Sequence, residues 1–151
     1  MSSGKWGKEP VSGKRFLTAG ELAEWSKADR EQGWEPACEI VESDALVNLT
    51  VEVPGYGAAD LQIALLPRAI ILKLKVRLLA CRSWEDVWRA LFGPKELFRR
   101  FDLPALIDVN RVKAELEMGV LTAIAPKQAA NGQPARGVPG VERARPQVFA
   151  A

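Results

Sequence analysis

The stretch Ala45-Leu46-Val47-Asn48-Leu49-Thr50-Val51-Glu52-Val53-Pro54-Gly55 sets the fold class. Val47, Leu49, Val51 and Val53 fall on one face at a period of two, and Asn48, Thr50 and Glu52 on the other. Pro54-Gly55 then ends the run, which is the pattern of a half-buried strand closed by a turn. The same alternation returns in Leu61 to Leu65, closed by Pro67, and in Ala69 to Val76, where Ile70, Leu72, Leu74 and Val76 oppose Lys73 and Lys75. Leu97 to Leu103, Val112 to Met118 and Val120 to Ile124 complete the set, the last two separated by Gly119. Short alternating strands joined by Pro and Gly turns predict an all-β antiparallel sandwich.

Composition bounds the chemistry. Of 151 residues, 48% are hydrophobic, and 21 basic against 19 acidic side chains leave a net charge of +2, which suits one globular domain with attached tails. There is no histidine. The commonest general base, the usual zinc ligand and every Ser-His-Asp or Cys-His nucleophile are therefore absent. Charges alternate in sign instead of clustering, which argues against a nucleic-acid partner. No apolar run approaches the roughly 18 residues of a membrane span, and Met1 to Pro10 lacks a signal peptide's apolar segment, so no membrane insertion is expected. Cys38 and Cys81 have no metal-ligand spacing and are too few for a disulfide framework; a reducing, cytoplasmic location is the simplest reading.

Residues 1–36 carry one helical signal. Thr18 and Glu21 have capping-box spacing, Leu17 and Leu22 can staple across it, and Gly33 stands where a helix would stop, so a short helix is expected at about 19–32. Its stripe of Leu22, Trp25 and Ala28 is too thin to fold alone. Residues 128–151 have no period, are rich in proline and glycine, and read as a flexible tail.

No catalytic constellation emerges. Asp44, Asp60, Asp102 and Asp108 sit at strand ends or loops, where Asp serves turn chemistry, and Gly55-x-Gly57 lacks the third glycine and the helix of a phosphate cradle. No cofactor is expected. Two features stand out instead. Arg99 shares a strand face with Leu97, Phe101 and Leu103, so it is either a charge at a wet subunit interface or one that reaches water at an unburied face. In the connection 77–96, Ser83 and Asp86 have capping spacing and Trp84, Val87, Trp88 and Leu91 recur at helical intervals before Gly93-Pro94. This is an amphipathic helix or a short strand whose tryptophans need apolar cover.

The run Phe98-Arg99-Arg100-Phe101-Asp102-Leu103-Pro104, then Ile107-Asp108, Val112-x-Ala114-x-Leu116, Gly119-Val120-Leu121-Thr122 and Pro126-Lys127 resembles the C-terminal half of the alpha-crystallin domain of small heat shock proteins. Val51-Glu52-Val53-Pro54-Gly55 followed by Asp60-Leu61 resembles its first half. The resemblance spans residues 37–127, roughly 60% of the chain. It implies an immunoglobulin-like sandwich that dimerises and acts as an ATP-independent holdase on unfolded or aggregation-prone clients. It also implies a homodimer, with higher oligomers open, and a dimer-interface role for Arg99, whose Leu97-x-Arg99-x-Phe101 setting matches the family's interface arginine.

A groove between edge strands is implied as well, with Ile63, Leu65, Ala114 and Leu116 as its lining. The connection 77–92 corresponds to the family's loop strand that swaps onto the partner, which Val87 to Leu91 would supply here; Trp84, Trp88 and Leu91 are then interface candidates. The family's Ile-x-Ile or Val-x-Ile tail motif is missing, since Val138-Pro139-Gly140-Val141 has the wrong spacing and Val148-Phe149 offers no pair. Phe16, Leu22 and Trp25 are the expected client-binding residues, with Trp6 and Trp34 adding aromatic content. The competing expectation is a co-chaperone or scaffold-type module that binds one folded partner.

Overall fold

The computed structural model describes residues 8–128, which form two facing β-sheets with helices at their margins. In chain order the elements are β1 (Glu9–Pro10), β2 (Lys14–Arg15), α1 (Ala19–Gln32), β3 (Cys38–Glu42), β4 (Leu46–Glu52), β5 (Leu61–Leu66), β6 (Ala69–Lys75), α2 (Trp84–Phe92), β7 (Glu96–Asp102), β8 (Lys113–Glu117) and β9 (Val120–Pro126). One sheet has the order β1-β8-β9-β4-β3 and the other β2-β5-β6-β7. All pairings are antiparallel except β2 with β5. The six strands expected from alternation are all present, with bounds that differ by one or two residues at the ends.

The period-two faces meet between the sheets. Val47, Leu49 and Val51 of β4 and Leu121, Ala123 and Ala125 of β9 pack against Ile63, Ile70, Leu72, Leu74 and Phe101 from the other sheet. At about 1.5–3 kcal/mol for each fully buried large aliphatic side chain, this face accounts for the fold's main drive. The β8–β9 hairpin closes through Met118 and Gly119, whose φ values of 52° and 80° are those of the tight primed turn that twists with its strands. A Cβ on Gly119 would lie 3.0 Å from Pro54 Cα, so this glycine also lets the hairpin tip approach the Pro-Gly turn after β4.

Three strands escaped the sequence reading. β3 is an edge strand in which only Ile40 is half-buried, so its hydropathy does not alternate strongly. β1 and β2 have two residues each, too few to show a period. The chain runs along β8 as β1, crosses between the sheets, and runs along β5 as β2.

Helix α1 starts and stops as expected. Thr18 Oγ1 accepts from the Glu21 N–H at 3.1 Å, the Glu21 carboxylate accepts from the Thr18 N–H at 3.0 Å, and Gly33 ends the helix in the left-handed conformation. The hydrogen bond from the Thr18 backbone, followed by that from Arg15, holds the Glu21 carboxyl below its usual pKa. What the sequence did not show is where α1 lies. It covers the outer face of β5, β6 and β7, where Trp25, Ala64, Ile71 and Phe98 make a second small core.

Candidate interaction surfaces

The described residues hold no cluster of three or more metal-ligating side chains. The aspartates serve the backbone and nearby cations: Asp60 Oδ2 accepts from the Gly57 N–H and from Arg77 Nε, both at 2.9 Å, and Asp108 Oδ1 accepts from the Asn110 N–H. A cavity of about 200 Å³ lies beside the Pro54-Gly55 turn, lined by Trp34, Tyr56, Cys81 and Arg89 among others. It is smaller than the roughly 300–1,000 Å³ of small-molecule sites. Burial raises the Tyr56 phenol pKa there.

The segment 77–92 is the most apolar surface. Ser83 caps α2 by accepting from the Asp86 N–H at 3.1 Å, and Glu85 and Asp86 suit the positive end of its dipole. The alternative of a strand at Val87 to Leu91 is therefore corrected: those residues are helical, because the Ser83 cap and the i, i+4 spacing of Trp84 and Trp88 satisfy a local helix that needs no partner chain. Val87 and Ala90 turn inward. Trp84 is 78% and Trp88 61% exposed, with Leu91 and Phe92 beside them and Leu78 and Leu79 on the preceding turn. Trp88 and Phe92 rings stand 4.7 Å apart, so the side chains have collapsed on one another without being covered.

The seam between β5 and β8 holds the four groove residues. Ile63, Leu65, Ala114 and Leu116 are all buried, and residues of this same chain close the seam over them. Val11 is 1% exposed, its N–H donates to the Ala114 carbonyl at 2.9 Å, and the Ile63 N–H donates to the Gly13 carbonyl at 2.9 Å. Lys14 Nζ reaches back across the seam to the Val112 carbonyl at 2.8 Å. A Cβ on Gly13 would come within 2.9 Å of the Leu61 carbonyl oxygen, which is why a glycine stands where the chain crosses. No periodicity marks this segment. Its only sequence signal is the isolated Val11 beside Gly13 in a polar stretch.

Arg99 is half-buried, facing the same way as Leu97 and Phe101 and paired in register with Leu72. It has no ion pair among the described residues, whereas its neighbour Arg100 bonds Asp102 at 2.8 Å. Phe16 is exposed and Leu22 half-buried. Trp25, expected as an exposed client-binding residue, is instead buried. It is 4% exposed, edge-on to Phe98 at 5.3 Å with Lys73 and Arg15 over its ring, because it is the side chain that α1 buries most deeply against the sheet. Trp6 and the tail pairs Val138/Val141 and Val148/Phe149 lie outside the described residues.

The described residues thus form a two-sheet sandwich with apolar side chains exposed at its margins. Residues 39–139 match the family model described as Hsp20/alpha crystallin family. The chain belongs to that family, the small heat shock proteins. It is 30% identical over 115 residues to the 15.7 kDa peroxisomal heat shock protein of Arabidopsis thaliana, covering 72% of this chain and 79% of that one. A heat shock protein of Dictyostelium discoideum is 22% identical over 107 residues, 71% of this chain but 26% of the relative. Among solved structures, heat shock protein 16.0 from Schizosaccharomyces pombe aligns with a TM-score of 0.49 at 19% identity, over 74% of this chain and 87% of that one. A small heat-shock protein from Xylella fastidiosa aligns with a TM-score of 0.49 at 22% identity, over 78% and 98%. The assignment rests on the family model and the Arabidopsis relative. The expected alpha-crystallin sandwich and a chaperone role follow from it. No described helix is long and apolar enough to cross a membrane.

Proposed function

We propose that this protein is an ATP-independent holdase that binds partly unfolded clients through apolar surface and keeps them from aggregating. The observation that carries the reading is the uncovered run Leu78, Leu79, Trp84, Trp88, Leu91 and Phe92 on a sandwich of this family. Singly exposed apolar side chains need no explanation, but six within fifteen residues mark a surface built to be covered. Phe16 and Leu22 extend the client surface. In this reading residues 37–127 are the sandwich domain, 1–36 a partly helical N-terminal region that lends the sandwich β1 and β2, and 128–151 an extension.

The working unit is a homodimer, with Arg99, Trp84, Trp88 and Leu91 at its interface and larger oligomers built from it, so that this apolar run is covered by the partner subunit at rest and offered to clients when subunits separate. Arg99 supports this, because a half-buried cation on a strand face gains most from a carboxylate or polar group across a subunit boundary. The location is proposed as cytoplasmic, where the unpaired thiols of Cys38 and Cys81 stay reduced. The Arabidopsis relative's name places that protein in the peroxisome, and imaging of a tagged chain separates the two compartments.

Light scattering of a heat-aggregating client without ATP tests the function. An equimolar amount of this protein should abolish most of the scattering, and an unchanged trace defeats the holdase reading. One observation favours a second reading, a scaffold-type module for a single folded partner: the exposed residues of α2 sit on a capped helix, a preorganised surface. Pull-down decides, with one stoichiometric partner for the module and a heat-dependent mixture for the holdase.

A further inference from the structure

The outer edge of β7 is covered in an unusual way. β7 ends its sheet, with β6 on one side and α1 on the other. Its outward backbone groups are satisfied by side chains of α1 in place of another strand. The Phe98 N–H donates to Gln32 Oε1 at 2.9 Å, Gln32 Nε2 donates to the Glu96 carbonyl at 2.9 Å, and the Arg100 N–H donates to Asp29 Oδ1 at 2.9 Å. A carbonyl at one residue and an N–H two residues on are the pair that a single residue of a parallel neighbouring strand would satisfy. The Gln32 amide therefore stands in for one peptide unit, and Asp29 occupies the next acceptor position.

This cover is held weakly. Trp25 is the only buried residue of α1, and Glu24, Lys27, Asp29, Arg30 and Glu31 make the helix strongly polar. Fourteen residues of that composition form little helix in isolation, so α1 persists only while Trp25, the partly buried Leu22 and Ala28 beside it and the β7 clamp hold. Removing it would expose at once a row of unpaired backbone groups and the apolar patch of Ala64, Ile71 and Phe98.

We propose that the β7 edge is a docking site for an extended segment of a non-native polypeptide, which adds as a strand alongside β7 after displacing α1. The proposal rests on the holdase reading and names how such a client is held. Backbone pairing supplies affinity without sequence preference, and the patch under Trp25 takes one apolar side chain of the incoming segment. An extended chain fits better than a folded partner, because the groups it replaces already imitate a peptide backbone.

The full chain and two variants test this, with reduced and carboxymethylated α-lactalbumin as a permanently unfolded probe. Asp29→Ala/Gln32→Ala removes the three clamp bonds and should tighten probe binding roughly tenfold by populating the open state. Gly20→Ala acts in the opposite direction. A Cβ there meets nothing within 4 Å, so the variant keeps its fold, favours the helix and should weaken binding about two- to fivefold. In the complex, the Phe98 and Arg100 amides should be protected from hydrogen exchange. Equal affinity in all three proteins overturns the docking site while leaving the holdase reading intact if aggregation is still suppressed. A clamp variant that dimerises through β7 with no gain in probe binding overturns it in favour of self-assembly. Absence of probe binding and of suppression in every protein defeats both readings.

Discussion

Two adjacent arginines on one strand show how position alone separates roles. Arg100 lies on the α1 side of β7, and its guanidinium bonds the exposed Asp102, an ion pair of the surface kind that is worth under about 1 kcal/mol. Its backbone N–H, not its side chain, holds Asp29. Arg99 points toward the sandwich core beside Leu97 and Phe101 and has no carboxylate partner among the described residues. On the proposed dimer, Arg99→Ala should raise the dissociation constant at least tenfold, while Arg100→Ala leaves it nearly unchanged. Native mass measurement over a dilution series reads both, and equal effects would remove Arg99 from the interface. The alternation Leu97-x-Arg99-x-Phe101 made this residue legible without a structure, since a period of two assigns each side chain a face. Asp29 and Gln32 were not legible. Their role depends on an edge that α1 meets only in the folded chain, and polar residues on a polar helix leave no mark in hydropathy.

Among the elements, α2 is where local and global readings parted. Its cap and spacing were sufficient to give a helix, so the strand implied by family resemblance did not form. The helix buries only Ala90 and part of Val87 and leaves its strongest apolar face uncovered. Trp84→Ser/Trp88→Ser should leave the melting temperature within a few degrees of the wild type, because neither ring touches the sandwich core and exposed substitutions usually stay within about 0.5 kcal/mol. Native mass should show released subunits, and suppression of client aggregation should fall several-fold. Unchanged mass and unchanged protection of residues 77–92 from proteolysis would show this face to be ordinary surface. α1 presents the converse case. Its ends were read correctly from Thr18, Glu21 and Gly33, yet its covering of Ala64, Ile71 and Phe98 was not, because the outward residues of β6 include Lys73 and so resemble a solvated face. Lys73 sits there over the Trp25 ring, 5.4 Å from its centroid, paired with Glu96 at 3.1 Å.

For the whole molecule, the crossing of residues 9–15 between the sheets matters most. In a sandwich the two edges at one side leave a slot, here the groove between edge strands that the resemblance implies. Here the chain fills it with its own Val11, ties it to both sheets through the Ala114 carbonyl and the Ile63 N–H, and pins it with Lys14. Filling the slot also joins the two sheets covalently through three residues, so the arm strengthens the sandwich it crosses. Val11→Asp tests that coupling. It would bury an unpaired carboxylate beside Ala114 and Leu116, a change that costs several kcal/mol unless the segment leaves. The expected outcome is a folded protein with a melting temperature lowered by roughly 10 °C or more, new proteolytic cleavage near Gly13, and rapid exchange at the Ile63 amide, whose acceptor departs with the arm. A variant that melts like the wild type and keeps Ile63 protected would show that the crossing segment contributes nothing to the sandwich. Loss of β-sheet circular dichroism would show the opposite extreme, that the sheets cannot hold together without it.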